Sequence, residues 1–292
     1  MEKILITGAH GLLGKEVVSE LLGKAELFLV VKGDHKVFSG DLVQYVDCDL
    51  ASMSSSSMLP LQIDKVLHLA QSGKFREFPE SVTEIYNVNT YSTLLLLDYA
   101  RKSGCKNFIY ASSGAVYKDA TDNTALRETD PLNCNNANFY AASKLASELL
   151  VNSYSKFFNS AICRYFFIYG MGQKHDMLIP RLIDSVRYQR EISMNGQNGF
   201  VFNPIHVHDA AKATILLSNL TGNHVINVAG PQVVNLRQVI QYIEEQLHLK
   251  AFVNSDKNLP DSCLLADITK LTDFGYTPGV NFNEGIRRVF IE

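Results

Sequence analysis

A tyrosine and a lysine four positions apart, Tyr140 and Lys144, have the spacing in this chain that most directly suggests chemistry. On a helix, residues at i and i+4 lie on one face, so both side chains would point the same way. A free tyrosine has a pKa of about 10, and a neighbouring ammonium ion lowers it because it favours the phenolate. The pair could therefore pass a proton at neutral pH. Two hydroxyl residues, Ser112 and Ser113, follow an apolar run earlier in the chain.

The chain opens with a second pattern that implies chemistry. An apolar run, Lys3–Thr7, leads into glycines at positions 8, 11 and 14 and then a helical stretch from Lys15. Gly8 would allow a sharp turn, Gly11 a close approach of backbone to phosphate, and Gly14 close packing of helix on sheet. The free N–H groups and the positive end of the helix dipole would then face a dinucleotide pyrophosphate. A glycine turn that only packs is the alternative, and the strand-then-helix context disfavours it.

These residues need elements that bring them together. The predicted strands are Lys3–Thr7, Glu26–Val31, Val43–Cys48, Lys65–Ala70, Phe108–Ala111 and Ser160–Tyr165. Helices are predicted from Ser81 to Ser103, before Gly104, and from Tyr140 to Phe158, because apolar residues recur there at helical spacing. Strands separated by helices indicate an α/β fold with a doubly wound parallel sheet, which binds ligands at the carboxyl ends of its strands.

After Gly170 the alternation weakens, and prolines punctuate a mixture of helical and irregular stretches. We therefore predict a dinucleotide-binding Rossmann-type domain formed by residues 1–169 with 204–229. Residues 170–203 and 230–292 are predicted to form a smaller, C-terminal substrate-binding lobe.

Composition supports an enzyme of ordinary globular type. The 292 residues are 46% hydrophobic and 20% charged, with a formal net charge of −3. This charge gives no reason to expect nucleic acid or an anionic membrane surface as a partner. No apolar run approaches the roughly 20 residues of a membrane span, and no signal peptide is expected. The five scattered cysteines lack metal or disulfide spacing and predict reduced thiols in a cytoplasmic protein.

The motifs together resemble those of the extended short-chain dehydrogenase/reductases, the NAD-dependent epimerase/dehydratase group, over nearly the whole chain. The matching segments are Thr7-Gly8-x-x-Gly11-x-x-Gly14, Asp49-Leu50, His68-Leu69-Ala70, Asn87-Val88-Asn89-Thr90, Ser112 to Tyr117, Tyr140-x-x-x-Lys144, Arg164 to Gly170 and Ile205 to Asp209. Their number and order make a chance agreement negligible.

The resemblance implies roles for the chemical residues. Tyr140 would be the general acid/base that exchanges a proton with a substrate oxygen while hydride moves to or from a nicotinamide. Lys144 would lower the pKa of Tyr140 and hold the nicotinamide ribose. Ser113, in preference to Ser112, would orient the substrate oxygen.

The resemblance also implies the residues of the cofactor site. They are Gly8, Gly11, Leu12, Leu13, Gly14, Lys32, Asp49, Leu50, Leu69, Ala70, Gln71 and Asn89, together with Tyr140 and Lys144. No metal is expected, and His206 and His208 are interpreted as structural histidines.

The kind of cofactor depends on the end of the second strand. NAD-dependent proteins of this group usually place an acidic residue there, which binds the ribose 2′-hydroxyl. Here Lys32 occupies that place, and a lysine suits a 2′-phosphate, so the sequence slightly favours NADP(H) over NAD(H). The alternative is a solvated Lys32 with Asp34 in the usual role.

Departures from the family pattern limit the choice of substrate. Gly114 and Ala115 replace the Asp-Glu pair of 4,6-dehydratases, which argues against dehydration. Phe167, Phe202 and Cys263 or Leu264 stand where many nucleotide-sugar enzymes carry an Asn and two Arg. Either other basic residues hold a diphosphate, or the substrate is not a typical UDP-sugar. The candidate replacements are Lys174, His175, Arg181, Arg187 and Arg76, each of which could equally be a solvated charge.

We therefore expect an NAD(P)-dependent epimerase or 4-keto reductase that acts on a sugar, expected to be nucleotide-activated. The alternative is an NADPH-dependent reductase of a non-nucleotide carbonyl compound. A non-catalytic cofactor-binding sensor ranks last because the tyrosine and lysine are both present. The partly apolar faces of Thr83–Ala100 and Tyr140–Phe158 allow a homodimer.

Overall fold

A computed structural model describes residues 1–34, 36–118 and 124–290 as two compact units. Unit 1 comprises Met1–Lys118, Pro131–Tyr165 and Ala211–Ile226. Unit 2 comprises the described residues of 119–130, 166–210 and 227–292. The predicted first domain also included residues 124–130, 166–169, 204–210 and 227–229, which belong to unit 2 in the structure. Substrate binding by the second part stays a prediction.

The elements alternate as the sequence predicts through the first half of the chain. The strands are β1 (Lys3–Thr7), β2 (Glu26–Val31), β3 (Val43–Asp47), β4 (Lys65–His68), β5 (Asn107–Ser113), β6 (Asn159–Tyr165), β7 (Ile168–Tyr169), β8 (Ile192–Asn195), β9 (Phe200–Phe202), β10 (Ile205–His206), β11 (Asn223–Val228), β12 (Val234–Asn235), β13 (Val253–Asp256) and β14 (Ser262–Leu264). The α-helices are α1 (Leu12–Leu21), α2 (Val82–Tyr86), α3 (Ser92–Lys102), α4 (Phe139–Ser153), α5 (Leu178–Arg187), α6 (Val207–Leu217), α7 (Leu236–Leu247), α8 (Thr269–Asp273) and α9 (Phe282–Val289).

A seven-stranded sheet in the order β11-β6-β5-β4-β1-β2-β3 confirms the Rossmann-type α/β fold. Every pairing from β3 through β6 is parallel. The strand order reverses between β1 and β4, and at such a switch point a crevice opens beyond the carboxyl ends of the strands. Strands β1, β2 and β4 are buried almost throughout because a parallel sheet is covered on both faces, whereas the edge strand β3 is partly exposed. The chemical residues of unit 1 lie at or after these strand ends.

Several boundaries differ from the predicted ones in ways that affect the site. Helix α1 begins at Leu12 rather than at Lys15, and β4 ends at His68, so that Leu69 and Ala70 follow the strand. Strand β5 runs on to Ser113, so its two serines belong to the strand end. Helix α4 ends at Ser153 rather than at Phe158, where the Tyr154 ring packs against Phe157 and Phe158. The predicted helix over 81–103 is α2 and α3 joined by a π turn at Asn87–Tyr91.

Unit 2 contains more regular structure than its sequence indicates. Strand β9 pairs with β12 and β14, β8 pairs with β13, and β7 pairs with β10. The amphipathic helices α5 and α7 pack on each other over an apolar cluster of this unit. Asn235 and Gln238 form a capping box that begins α7. These strands of two to four residues are too short to show a clear alternation of apolar and polar positions.

Within the described residues, no helix is long and apolar enough to cross a membrane. The five cysteines, all of which lie in described segments, are free thiols. The thiols of Cys105 and Cys163 are buried, and burial raises the pKa of each to about 12. These two thiols therefore stay protonated and unreactive at neutral pH.

Candidate active site

The glycine turn between β1 and α1 is built for close backbone approach. Gly8 has a φ of +71°, which a residue with a Cβ rarely adopts. A Cβ on Gly14 would lie 2.0 Å from the Gly8 carbonyl oxygen, so no other residue fits there. The Gly11 amide donates to the same carbonyl at 2.9 Å and closes the turn.

Helix α1 presents its N-terminus at this turn. It begins at Leu12, with Gly11 as N-cap, and no described side chain caps it or places an acid in its first turn. The first backbone amides, those of Leu12, Leu13 and Gly14, therefore have no partner within the helix. This end combines unpaired N–H groups with a positive dipole and fits a pyrophosphate.

The chain after β4 lies directly against the glycine turn. A Cβ on Gly8 would lie 2.8 Å from the Ala70 amide nitrogen and 2.9 Å from the Leu69 carbonyl carbon. The Thr7 hydroxyl contacts the Ala70 amide at 3.3 Å and His68 Nδ1 at 2.7 Å. Burial lowers the pKa of His68 to about 3, so this ring is a neutral structural link. Leu69 and Ala70 thus lie beside the predicted phosphate site.

Tyr140 lies in the first turn of α4, which Asn138 caps by accepting from the Ala141 amide at 2.9 Å. Its hydroxyl donates to the Gln71 side-chain oxygen at 3.1 Å, and its ring lies 5.1 Å from that of Phe75. Ser113, at the end of β5, lies near the same tyrosine hydroxyl, and its side chain lowers the pKa of Tyr140. The structure therefore brings Tyr140 and Ser113 together from elements 27 residues apart in sequence.

The pKa of Tyr140 differs from the sequence expectation. Burial raises it above its usual value, while the Ser113 hydrogen bond and the charge of Arg76 oppose the rise. Lys144 does not act as the expected lowering partner, because its ammonium ion lies 6.0 Å from the tyrosine ring centroid and is bonded elsewhere. In the protein by itself, Tyr140 is a protonated phenol at neutral pH, the form that donates a proton.

Lys144 is buried to an unusual degree, with 2% of its surface exposed. Its ammonium nitrogen donates to the Ala111 carbonyl oxygen at 2.7 Å and lies 5.2 Å from the Tyr110 ring centroid. Burial lowers its pKa to about 7, although the charge of Glu148 opposes this shift. Such a perturbed group at the carboxyl ends of strands is typical of a functional site.

The two serines at the end of β5 point in different directions. Ser112 is buried, and its hydroxyl donates to the Glu148 carboxylate. Ser113 is partly exposed, accepts from the Ala115 amide at 3.2 Å and meets Tyr140. This geometry favours Ser113 as the hydroxyl that can reach a substrate.

Asn89, a predicted cofactor contact, is held by hydrogen bonds within unit 1. It is 1% exposed, its side-chain oxygen accepts from the Ser72 amide at 2.8 Å, and its side-chain nitrogen donates to Ser143 at 3.0 Å. Its side chain therefore ties the π turn to α4 and to the chain after β4. A positioning role fits these contacts, and the cofactor contact of Asn89 stays a prediction.

An ion pair links the residue that follows β2 to the chain that follows β3. Lys32 Nζ lies 2.7 Å from an Asp49 carboxylate oxygen, which raises the pKa of Lys32 and lowers that of Asp49. The Leu50 side chain is buried in the core, so any contact from Leu50 to a cofactor would come from its backbone. The exposed Asp34 lies 3.6 Å from Lys36.

Comparison with known proteins decides the family. The model of the NAD dependent epimerase/dehydratase family matches residues 4–229. The chain belongs to this family. It is 24% identical to UDP-glucuronate 4-epimerase of Thermodesulfobacterium geofontis over 97% of this chain and 94% of that protein. It is 26% identical to dTDP-D-glucose 4,6-dehydratase of Mus musculus over 98% of this chain and 87% of that protein.

The fold of the family is shared by solved structures. UDP-glucuronic acid 4-epimerase from Bacillus cereus, in complex with UDP-glucuronic acid and NAD, superimposes with a TM-score of 0.85 at 24% identity. The match covers 99% of this chain and 98% of that one. This similarity confirms the predicted doubly wound architecture.

Unit 2 brings together the three positions at which this chain departs from the family pattern. The Phe167 ring lies 5.0 Å from that of Phe202, and both face Phe200. Leu264 and Cys263 lie on β14, where Leu264 is the register partner of Phe202. An apolar cluster thus stands where the family pattern predicts an Asn and two Arg. A substrate diphosphate would have to be held by other groups.

His206, which the sequence analysis interprets as a structural histidine, is buried. Its ring packs edge-on against Tyr169, with ring centroids 5.5 Å apart. The aromatic run from Tyr165 to Tyr169 is core, except for the partly exposed Phe167.

Sequence reasoning missed a buried ion pair near the predicted catalytic residues. Glu148 forms two hydrogen bonds with Arg164, and both side chains are nearly inaccessible. Two signals could have indicated it. Arg164 stands in an otherwise apolar strand, and Glu148 follows Lys144 by one helical turn on the same face.

Proposed function

We propose that this protein is a nucleotide-sugar 4-epimerase that uses NAD(H), with Ser113, Tyr140 and Lys144 as its reacting centre. The observation that carries the proposal is the bond of the Tyr140 hydroxyl to Gln71, in the chain after β4, in the same unit as the glycine turn. Ser113, at the end of the neighbouring strand β5, acts on the same hydroxyl. Several relatives are UDP-sugar 4-epimerases, which supports the choice of substrate class.

Each group of residues would have a separate role, which its position in the fold determines. A nicotinamide cofactor supplies reversible acceptance of hydride from a carbon that bears a hydroxyl. The glycine turn and the α1 amides would hold its pyrophosphate, and the Lys144 ammonium ion its ribose. The positive charge of an oxidised nicotinamide would favour the phenolate form of Tyr140. In that form Tyr140 would take the proton from the substrate hydroxyl and later return it, while Ser113 fixes that oxygen. Removal and return of hydride at the same carbon can invert its configuration.

A 4-keto reductase would use the same side chains and differs only in exchanging its cofactor at each turnover. Dehydration is disfavoured, because Gly114 and Ala115 beside Ser113 carry no group that could act as a second acid or base. The non-nucleotide reductase is disfavoured because named relatives act on nucleotide sugars.

The experiment that tests the function begins with the purified protein. Bound nucleotide is released and identified by mass spectrometry, and the protein is then incubated with UDP-glucose or UDP-glucuronate. Retained NAD(H) and a mixture of C4 epimers without added cofactor support an epimerase. Conversion that needs added reduced cofactor and a 4-keto sugar identifies the reductase. No conversion of either kind of sugar rejects the proposal.

NAD(H) rather than NADP(H) fits the end of β2. The cation that would bind a 2′-phosphate, Lys32, is already paired with Asp49 at 2.7 Å. Asp47 accepts from the Gly33 amide at 2.8 Å and adds negative charge at the same strand ends. The NADP(H) preference inferred from Lys32 alone therefore lacks support, and homologous complexes are described with NAD.

We expect the protein to bind NAD(H) at least about tenfold more tightly than NADP(H), a difference of about 1.4 kcal/mol. Asp49→Asn releases Lys32 and removes a repelling carboxylate, so the preference should shrink several-fold. Isothermal titration with both cofactors measures this, and Asp41→Asn, an exposed acid before β3, is the matched control. Tighter binding of NADP(H) by the wild-type protein would contradict the assignment.

We further propose that helices α3 and α4 carry a homodimer interface. The two helices pack side by side in unit 1, and each exposes a leucine, Leu94 at 36% and Leu149 at 64%. Tyr86, on the neighbouring α2, is 49% exposed. Exposed apolar residues clustered on one helical layer are typical of a protein interface.

Leu149→Glu is expected to turn a dimer into a monomer, because it places a charge in an apolar contact that the symmetry repeats. Sedimentation velocity at several concentrations measures the state. Leu61→Glu changes a leucine that is 93% exposed in the segment before β4 and should leave the dimer intact. A monomeric wild-type protein, or equal effects of the two substitutions, would reject this interface.

A further inference from the structure

A buried ion pair joins α4 to β6 behind the reacting centre. Arg164 Nε and Nη2 donate to the two carboxylate oxygens of Glu148 at 3.0 and 2.7 Å. The side chains are 4% and 3% exposed, and the Tyr117 ring lies 4.7 Å from the guanidinium carbon. Removing two charges from water costs several kcal/mol each, so apolar residues of similar volume often serve stability as well or better. Stability alone is therefore a weak reason for this pair.

The same carboxylate reaches β5. Ser112 donates its hydroxyl to Glu148, and Ser112 stands between Ala111 and Ser113 in the strand. One turn earlier on α4, the Lys144 ammonium ion donates to the Ala111 carbonyl oxygen at 2.7 Å. Helix α4 is thus fixed to consecutive residues of β5 at two points one turn apart.

We propose that Glu148, held by Arg164 and Ser112, is a positioning residue that fixes α4 on the end of β5 and supplies the negative charge that supports the Lys144 ammonium ion. This role rests on the proposed function, since it acts on the lysine assigned to the cofactor ribose. Two consequences follow, one geometric and one electrostatic, and they can be separated by substitution.

The electrostatic consequence depends on all groups that face the Lys144 amine. Tyr110 of β5 and Tyr140 of α4 present neutral rings at 5.2 and 6.0 Å. His68 of β4 is uncharged because its pKa falls to about 3. Arg164 of β6 is a cation beyond Glu148, and within the described chain only Glu148 among these groups is negative. Its charge raises the pKa of Lys144 against the effect of burial.

Glu148→Gln tests the charge with little change of shape. It removes the negative charge and leaves Arg164 uncompensated, and both changes lower the pKa of Lys144. If the charged lysine is needed, the alkaline limb of the kcat profile for UDP-sugar epimerisation should move to lower pH by about one unit or more, a tenfold loss on that limb. Glu148→Asp retains the charge and should keep the limb in place. Ser112→Ala removes the anchor without a charge and should lower kcat several-fold with no shift of the limb.

A readout that does not need activity separates this proposal from the proposed function. The difference in unfolding free energy between a protein and its Lys144→Met variant changes with pH as Lys144 titrates. The pH at the midpoint of this change should fall when Glu148→Gln is introduced into both the protein and its Lys144→Met variant. If Glu148→Gln does not fold, the double substitution Glu148→Gln with Arg164→Met removes both charges and replaces it in this comparison. An unchanged midpoint and an unchanged pH limb in folded variants would overturn the positioning role, even if the protein epimerises UDP-sugars.

Discussion

Tyr140→Phe should lower kcat by about 100- to 10,000-fold, the usual range for loss of a general acid/base, while the protein stays folded. The hydroxyl that is removed bonds Gln71 at 3.1 Å and meets Ser113 at the end of β5. Both partners are at least partly exposed, so water can replace the lost bonds at a cost of about 1 kcal/mol or less. The measurement is kcat for UDP-sugar epimerisation, with cofactor binding and the urea midpoint determined on the same preparation.

The control for this prediction is another tyrosine in the same chain. Tyr188→Phe changes a ring that is 59% exposed in unit 2 and lies over Arg190, and it should leave kcat unchanged. If Tyr140→Phe retained kcat within about threefold of the wild-type value, proton transfer by Tyr140 would be excluded. A loss of cofactor binding equal to the loss of kcat would point to a binding role instead.

The parts of this site that sequence predicts are those governed by local rules. Gly8 and Gly14 are recognisable because a sharp turn and a close helix contact exclude side chains at fixed offsets from a strand. The tyrosine and lysine are recognisable because helical spacing places them on one face and because they follow the glycine turn and the Ser112–Tyr117 segment in order. The parallel, doubly wound class of the sheet follows from the alternation of strands and helices.

The parts that sequence does not predict depend on distant segments. The Lys32 amine pairs with Asp49, a residue on the chain after the neighbouring strand, and this pairing weakens the cofactor inference drawn from Lys32 alone. Asn89 is a predicted cofactor contact in the motif, and only the structure shows that its side chain bonds Ser72 and Ser143. The π turn that carries it adds one residue to a helical turn, which a pattern of period 3.6 does not mark.

Lys144 shows the same limit in its electrostatics. Its position on α4 is predictable, but its bond to the Ala111 carbonyl and its pKa of about 7 arise from burial against β5. A lysine whose pKa falls on folding weakens the folded state wherever it must carry its charge inside. This cost leads to a second substitution with a large effect, in which stability and activity move in opposite directions.

Lys144→Met should abolish most activity, by at least about 100-fold, and yet stabilise the protein at acidic pH. Methionine is a flexible, unbranched side chain that can fill the space of the lysine stem. The free energy of unfolding should rise because the variant no longer buries an ammonium ion. It is partly offset by the unpaired Ala111 carbonyl, which costs about 1–3 kcal/mol.

The sign of the pH dependence follows from proton binding. Between the folded pKa of about 7 and the usual value of 10.5, the unfolded chain binds the Lys144 proton and the folded chain releases it. The wild-type free energy of unfolding therefore rises with pH across this window, and the cost is fully present below it. We expect Lys144→Met to be more stable than the wild-type protein by about 2–4 kcal/mol at pH 6 and less stable near pH 10.

Urea unfolding of both proteins at pH values from 6 to 10 measures this crossing. Lys156→Met, which removes an exposed lysine just after α4, should give a difference that does not depend on pH. A constant difference for Lys144→Met would show that the amine keeps one charge state throughout the range. In that case burial would not lower the pKa of Lys144, and its ammonium ion would be available to a ribose hydroxyl at any physiological pH. A difference that falls with pH would instead show that the site holds this lysine close to its titration point, where one nearby charge decides its protonation.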